Sequence, residues 1–203
     1  MNAKIEEIHQ VTTESNRGIK WLSSSIQDDA RARWLNPADP SVDHNKARDA
    51  CHSGNGQWLL NSPQYIAWKS QTKSFLWLNG NSGQGKTILS STVIEDMRNS
   101  PLTQHCNCAI LYFYITFTDN QKQSLDAILR SLINQLYHSR QEACHPITSL
   151  YSRCSGGSSQ ATVEQLKSTF RDMLAAVEAT LIVLDAPDEY QNRSTPSYEL
   201  LSW

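Results

Sequence analysis

One short stretch, Phe75 to Thr87, constrains this chain more than any other part of its sequence. An apolar run, FLWL, stops at an Asn-Gly pair, and the pattern Gly-x-x-x-x-Gly-Lys-Thr then occupies residues 80–87. Behind it, apolar residues recur at helical spacing to about residue 99. The stretch therefore predicts a strand, a glycine-rich loop and a helix in direct succession.

The residue types in this pattern are those that hold a phosphate group. Glycines let the backbone direct several N–H groups at one anion, and the following helix adds its N-terminal dipole. Lys86 is expected to reach the β- and γ-phosphates of ATP or GTP, and the Thr87 hydroxyl to bind Mg²⁺. A glycine-rich turn without a ligand would share the spacing, but the strand before and the helix after favour nucleotide binding. The predicted cofactor-binding residues are Gly80, Asn81, Ser82, Gly83, Gln84, Gly85, Lys86 and Thr87.

Composition excludes several classes of function. The chain has 203 residues, 39% hydrophobic and 19% charged, which suits a folded domain with a core. Its net charge of −2 gives no global field for nucleic acid or an anionic membrane. The longest apolar run, residues 108–117, is too short to span a bilayer, and the N-terminus lacks an apolar signal segment. Five cysteines at irregular spacings predict reduced thiols in a cytoplasmic protein.

Apolar periodicity predicts several helices. A weak helical pattern over residues 3–34 predicts a helix that packs against the main domain or, as the alternative, docks a partner. Residues 36–56 hold two prolines and many turn formers, so an irregular connector is expected there. Further helix signals lie at Ser62-Pro63, after the glycine-rich loop, over residues 125–137 and at the capping box Thr162-x-x-Gln165.

Three apolar runs predict the strands of one sheet, at residues 75–79, 109–117 and 181–185. The second run is β-branched and aromatic throughout, as in a parallel sheet covered on both faces. The expected fold class is therefore α/β, a P-loop NTPase-type parallel sheet flanked by helices, with a helical N-terminal extension. Asp185 ends the last strand, at the edge where ligands of such sheets bind. It is predicted to hold Mg²⁺ beside Thr87, although a solvent-facing residue at a strand exit would look the same.

Catalysis depends on the residues that follow Asp185. Many P-loop ATPases place a glutamate directly after this carboxylate, to orient the attacking water, whereas this chain has Ala186. Asp188 and Glu189 are the next acids and are the predicted catalytic residues, with Pro187 bending the backbone before them. Nucleoside-triphosphatase activity is therefore an open question, and any hydrolysis is expected to be slow.

Taken together, the motifs resemble a known family. The loop GNSGQGKTILSS, the closing LIVLDAPDEYQNR and the lead-in WLNPADPSVDHNKA…GNGQWLL are similar to the NACHT-type NTPase modules of fungal STAND proteins. The segment YFYITFTDNQKQSLDAILRSLINQLY is similar to the second strand of that family and the helix after it. The resemblance covers about residues 20–203.

This resemblance implies a signalling switch. In such NLR-like proteins, the NTP-bound and NDP-bound forms differ in conformation and self-association, in nonself recognition and regulated cell death, and ankyrin or WD repeats often follow the module. It implies that the loop and Asp185 bind phosphates and Mg²⁺. Asp188 and Glu189 would be further acids of a D-x-x-D-E signature, and Gly54 and Gly56 would form a GTG-like element near the nucleotide base.

The chain departs from the family pattern at Asn55 for threonine, Gln84 for a common cysteine, Pro187 for leucine and Tyr190 for cysteine. Gln84 is expected to contribute mainly its backbone. Family members continue beyond the acidic strand, so residues 73–203 are expected to form a partial, truncated NTPase core with an exposed sheet edge. A helical segment over residues 1–35 and a connector over residues 36–72 would precede this core.

Two alternatives stay open. A small P-loop kinase would need an arginine-bearing lid and an acceptor pocket, and the arginines here are scattered through the sequence. A non-catalytic interaction protein, whose loop only supports folding, would fit Ala186 and the early end of the chain. The expected partners are a nucleoside triphosphate and either a second copy of the chain or other signalling proteins, with no nucleic acid and no membrane span.

Overall fold

The structure is a computed structural model that describes residues 2–52, 54–81, 83–101, 103 and 108–190. The helices with described bounds are α1 (Asn2–Leu35), α2 (Ser41–Asp49), α3 (Gln57–Leu60), α4 (Pro63–Ser70), α5 (Lys86–Arg98), α6 (Leu125–Ser139), α7 (Cys144–Arg153) and α8 (Val163–Ala175). The described strands are β1 (Cys108–Tyr114) and β2 (Ala179–Asp185). Single 3₁₀ turns occupy Asn120–Lys122, Gln141–Ala143 and Pro187–Glu189.

The two strands pair in parallel. Cys108 lies opposite Ala179 at one end of the ladder, and Tyr114 lies opposite Asp185 at the other. A parallel pair needs a long crossover connection, and here that connection contains α6, α7 and α8. The predicted strands over residues 109–117 and 181–185 are therefore confirmed, although β1 ends at Tyr114.

Alternate residues of the strands face two layers of helices. Leu111 and Phe113 are fully buried in a cluster with α6, α7, α8 and the end of α1. On the other face, Tyr112 and Tyr114 pack with Ile94 of α5. Helices on both faces of a parallel sheet give the α/β class that the sequence predicted. The assignment of this sheet to the P-loop NTPase type stays a prediction, as does the division into three segments.

The predicted first strand is wrong. Residues 75–79 form no regular secondary structure, and no ladder hydrogen bond joins them to either strand within the described part of the chain. Leu76 and Leu78 pack against an apolar cluster that includes residues of β2, whereas Phe75 and Trp77 are 65% and 52% exposed. An apolar run indicates that a segment is buried, but not that its backbone pairs with a strand. A segment that packs through one of its own faces therefore has the same sequence pattern as a paired strand.

The predicted irregular connector also needs correction, because residues 41–49 form α2. The prolines do not oppose this helix, since Pro40 immediately precedes its first residue, where a missing N–H breaks no helical hydrogen bond. The helix has little apolar surface of its own. Its formation depends on tertiary contacts made by His44 and Ala47, which are both buried.

Helix α1 packs against the domain near its C-terminal end. Trp34 and Leu35 are buried in the larger apolar cluster, and the Trp34 indole Nε1 donates to the Ser159 carbonyl oxygen at 2.8 Å. In contrast, Ile19 and Ile26 are 64% and 65% exposed. The expected packing is therefore confirmed for the end of the helix, but not for these two isoleucines.

Several helix starts follow the sequence signals. Ser62 Oγ accepts a hydrogen bond from the Tyr65 backbone N–H, with Pro63 at the first helical position of α4. Thr162 and Gln165 form both hydrogen bonds of the predicted capping box before α8. Among the described residues, no helix combines the length and the apolar character that crossing a membrane requires.

Candidate functional site

The glycine-rich loop ends at the first residue of α5. Gly83 and Gly85 have left-handed φ values of 81° and 77°, and an added Cβ at either position would meet no atom within 4 Å. Gly85 is the residue before the helix, so the turn into α5 depends on a conformation that glycine adopts without strain. Ser82, one of the predicted ligands, lies outside the described residues.

Gln84 contributes a side chain as well as backbone. Its Oε1 accepts a hydrogen bond from the Asn81 backbone N–H at 2.9 Å. A Cβ added to Gly80 would lie 2.5 Å from the same oxygen, so Gly80 must lack a side chain for this contact to form. The expectation that Gln84 acts mainly through its backbone was therefore incomplete. No local spacing signalled the contact, because it depends on the shape of the closed loop.

Lys86 crosses the mouth of the loop. Its Nζ donates to the carbonyl oxygens of Gly80 at 2.7 Å and Asn81 at 3.1 Å. The ammonium group therefore lies beside the backbone of residues 80–81. A phosphate oxygen can replace these neutral carbonyl oxygens as the acceptor of its hydrogen bonds. A charged donor and a charged acceptor form the stronger hydrogen bond.

The predicted metal ligands are in direct contact. Thr87 Oγ1 donates to Asp185 Oδ2 at 2.7 Å, which joins the first turn of α5 to the end of β2. Ser90 Oγ, one helical turn further on, donates to Asp185 Oδ1 at 2.8 Å. Asp185 is only 6% exposed, while Thr87 lies at the surface. Sequence reasoning missed Ser90, although its i, i+3 spacing from Thr87 placed both hydroxyls on one helix face.

These groups fit a magnesium ion. Carboxylate and hydroxyl oxygens are hard ligands of the kind that Mg²⁺ prefers, and Mg²⁺ is usually held by one or two protein groups plus phosphates and water. The described residues contain no cluster of three or more His, Cys, Asp or Glu side chains that would form an all-protein metal site. Thr87 and Asp185 would hold the ion, and nucleotide phosphates and water would complete its coordination.

The two predicted catalytic acids lie further along the chain, in the turn Pro187–Glu189. Asp188 is exposed, and Glu189 Oε2 accepts a hydrogen bond from the Phe117 backbone N–H at 3.0 Å. No hydrogen bond or ion pair joins either carboxylate to the described part of the glycine-rich loop. Ala186 has a left-handed φ of 51°, so the chain turns sharply after Asp185. The catalytic role of both acids stays a prediction.

A second polar cluster adjoins the end of β1. His44 of α2 is 2% exposed, with Nδ1 2.9 Å from Tyr114 Oη and Nε2 3.0 Å from Glu95 Oε1. Burial lowers the pKa of His44, an effect that the hydrogen bond to Glu95 partly offsets. Neutral His44 carries one ring N–H, so one ring nitrogen donates and the other accepts, and Arg98 Nη1 also lies 3.2 Å from Nε2. The cluster thus links α2 to the strand residue that lies opposite Asp185.

The GTG-like element forms one wall of a cleft of about 420 Å³ along α5. Gly54 and Asn55 of this element and Thr92 and Asp96 of α5 are among the residues that line it. An added Cβ at Gly56 would lie 3.0 Å from Thr92 Cγ2, so this element packs tightly on α5. Neither Lys86 nor Thr87 lines the cleft, and a base-binding role of the element stays a prediction.

Comparison with known proteins gives the class of the chain. The family described as Nephrocystin 3, N-terminal, matches residues 54–203, and the chain belongs to this family. It is similar to the vegetative incompatibility protein HET-E-1 of Podospora anserina, with 27% identity over 111 residues. That match covers 53% of this chain and 8% of the relative, so the chain spans a small part of the relative's length. The two findings confirm the resemblance to NACHT-type, NLR-like fungal proteins. No solved structure matches the chain.

Proposed function

We propose that this chain binds a nucleoside triphosphate with Mg²⁺ at residues 80–87 and Asp185. One observation carries the proposal, the 2.7 Å hydrogen bond between Thr87 Oγ1 and Asp185 Oδ2. These residues are 98 positions apart in the chain, and the sequence assigns both of them to one metal ion. Folding brings them together at the carboxyl end of β2, beside a loop with the spacing of a phosphate site.

Each group has a distinct task in this proposal. The N–H groups of the loop and of the first turn of α5 bind the phosphates, and Lys86 exchanges its two carbonyl partners for phosphate oxygens. Thr87 and Asp185 supply hard oxygen ligands to Mg²⁺, which neutralises charge on the β- and γ-phosphates when it is bound. Asp188 and Glu189 are the proposed catalytic acids, and Ala186 in the usual glutamate position makes the proposed hydrolysis slow.

The wider role that we propose is a conformational or self-association switch in fungal nonself recognition. Membership of the family and similarity to a vegetative incompatibility protein support this role. The geometry also supports it, because a ligand that holds Thr87 and Asp185 acts on α5 and β2 at once. These two elements contact different parts of the domain, so a change at the site reaches both layers.

The first prediction concerns Lys86→Ala. Removing the ammonium group removes the charge expected on the β- and γ-phosphates, so tight binding should be lost while the domain stays folded. Thermal melting with Mg²⁺ and ATP, GTP, ADP or no nucleotide measures this. A ligand present at about a hundred times its dissociation constant stabilises the folded state by about 2.7 kcal/mol, and Lys86→Ala should lose that shift.

Lys46→Ala is the matched control, because it removes an equal charge from an exposed side chain on α2. Equal nucleotide-dependent shifts in wild type and Lys86→Ala would contradict the site. If the cooperatively folded wild type shows no shift with any nucleotide, the loop has a structural role only, which is the non-catalytic alternative. Phosphate transfer to added metabolites would instead favour the kinase alternative.

The second prediction concerns Asp185→Asn. The amide keeps the shape of the side chain but loses the charge that attracts Mg²⁺, so nucleotide affinity should fall more in Mg²⁺ than in EDTA. We expect a loss of roughly tenfold or more in Mg²⁺, as for other changes around metal ligands. Titration of a fluorescent nucleotide under both conditions measures the difference. An identical loss in Mg²⁺ and EDTA would show that Asp185 does not act through the metal.

A further inference from the structure

We propose that Ser90 is a positioning residue of the metal site, which fixes one oxygen of Asp185 so that the other faces Mg²⁺. The proposal rests on the proposed function and names a residue that the phosphate-loop pattern does not include, since that pattern ends at Thr87. The starting observation is that the Asp185 carboxylate accepts hydroxyl donors at both oxygens, from Thr87 and from Ser90.

The two donors are not equivalent. Thr87 lies at the surface and bonds Oδ2, whereas Ser90 is half-buried and bonds Oδ1 at 2.8 Å. Thr87 and Asp185 would hold Mg²⁺, and the hydrogen bond between them involves Oδ2. Oδ1 keeps its bond to Ser90, because that hydroxyl lies one turn further from the loop.

A carboxylate held at one oxygen cannot turn freely about its Cβ–Cγ bond. Asp185 is 6% exposed, so water has little access to replace a lost donor. Hydrogen bonds that orient a ligating group in this way usually contribute about ten- to a hundredfold to metal affinity. Loss of the Ser90 hydroxyl is therefore expected to raise the Mg²⁺ concentration that is needed for nucleotide binding.

The neighbouring hydroxyls provide a contrast within the same helix. Ser91 Oγ and Thr92 Oγ1 both donate to the Ile88 carbonyl oxygen, at 2.8 Å and 2.9 Å. Such bonds to the helix's own backbone are common and carry no information about a ligand. Ser90 instead bonds a carboxylate on another element, 95 positions away.

The experiment is a Mg²⁺ titration of nucleotide binding with Ser90→Ala, using ATP and GTP as probes. The half-saturating Mg²⁺ concentration should rise roughly ten- to a hundredfold, while affinity in EDTA stays unchanged. Ser90→Thr keeps the hydroxyl and should restore the wild-type Mg²⁺ requirement. Ser91→Ala is the matched control and should change neither quantity.

The outcomes separate this proposal from the proposed function. Nucleotide binding by wild type with an unchanged Mg²⁺ requirement in Ser90→Ala overturns the role of Ser90 alone. An equal loss in Mg²⁺ and EDTA also overturns it, because that result means a structural contact. Absence of Mg²⁺-dependent nucleotide binding in wild type overturns both. Alanine is the best helix former, so Ser90→Ala should fold. If it does not, Ser90→Cys, with its weaker donor, carries the same test.

Discussion

Single side chains at this site act on partners far away in the sequence. Asp185 bonds Thr87 and Ser90, which precede it by 98 and 95 positions. Gln84 acts locally instead, by holding the Asn81 N–H from within the loop. His44 also has distant partners, since it forms hydrogen bonds with Tyr114 at the end of β1 and with Glu95 on α5. A neutral imidazole satisfies both of these partners, so the protonation state of His44 matters for stability.

The prediction at this scale concerns pH. Burial, partly offset by Glu95, lowers the pKa of His44 below its usual 6.5, so the unfolded chain binds a proton that the folded chain does not. The contribution of His44 to the free energy of unfolding is complete at pH values above its pKa in the unfolded chain. It is lost as the pH falls from that value through the pKa of His44 in the folded chain. Urea unfolding between about pH 8 and about pH 5 measures the effect.

His44→Gln should lower the free energy of unfolding at neutral pH by about 1–3 kcal/mol, because Tyr114 and Glu95 lose a buried partner. It should also reduce the loss of stability between neutral and acidic pH. His145→Gln, at an exposed position, is the control and should leave the pH profile as in wild type. A profile that is the same in His44→Gln and wild type would contradict the assignment.

At the scale of elements, α5 is the part of the fold that contacts most of the site. Its first residue is the predicted phosphate lysine, and its first turns supply Thr87 and Ser90. Its middle packs against the GTG-like element at Gly56, and Glu95 bonds His44 of α2. The connector and the loop therefore both contact one helix, and a displacement of the connector should shift α5.

Gly56→Ala tests this packing. Gly54 and Gly56 both have left-handed φ values, 88° and 79°, so alanine is strained at either position. Only at Gly56 would the new Cβ also meet α5, 3.0 Å from Thr92 Cγ2, whereas at Gly54 it would meet open space. Gly54→Ala should cost about 1 kcal/mol, and Gly56→Ala should cost more. Urea unfolding of the pair measures the difference, and equal losses would argue against tight packing of this element on α5.

At the scale of the whole molecule, the parallel pair of strands separates two layers of unequal size. The larger apolar cluster includes residues of α6, α7 and α8, which form the crossover between the strands. The smaller layer, built around α5, carries the loop and the metal residues. Along β2 every residue before Asp185 is only half-buried, and within the described residues the strand pairs with β1 alone. Residues 75–79 lie against the same apolar cluster as β2 but do not extend the sheet.

Local signals predicted much of this fold. Helical periodicity identified α5 and α6, and capping residues placed the starts of α4 and α8. The glycine spacing predicted a turn with unusual backbone dihedrals, and Gly83 and Gly85 have left-handed φ values. These features depend on interactions within about one turn of the chain, so the residues that specify them are neighbours in the sequence.

By itself, therefore, the sequence determined the helices α1, α4, α5, α6 and α8, the two strands of the parallel pair and the candidate residues of the loop. Only the tertiary structure decided that α2 is a helix, that residues 75–79 remain outside the sheet, and that Ser90 bonds Asp185. The physical reason is that these three outcomes depend on contacts between distant segments. The burial of His44, the lack of strand pairing at residues 75–79 and the hydrogen bond between Ser90 and Asp185 produce no periodic pattern in the sequence. Each is determined by a partner that only folding brings near.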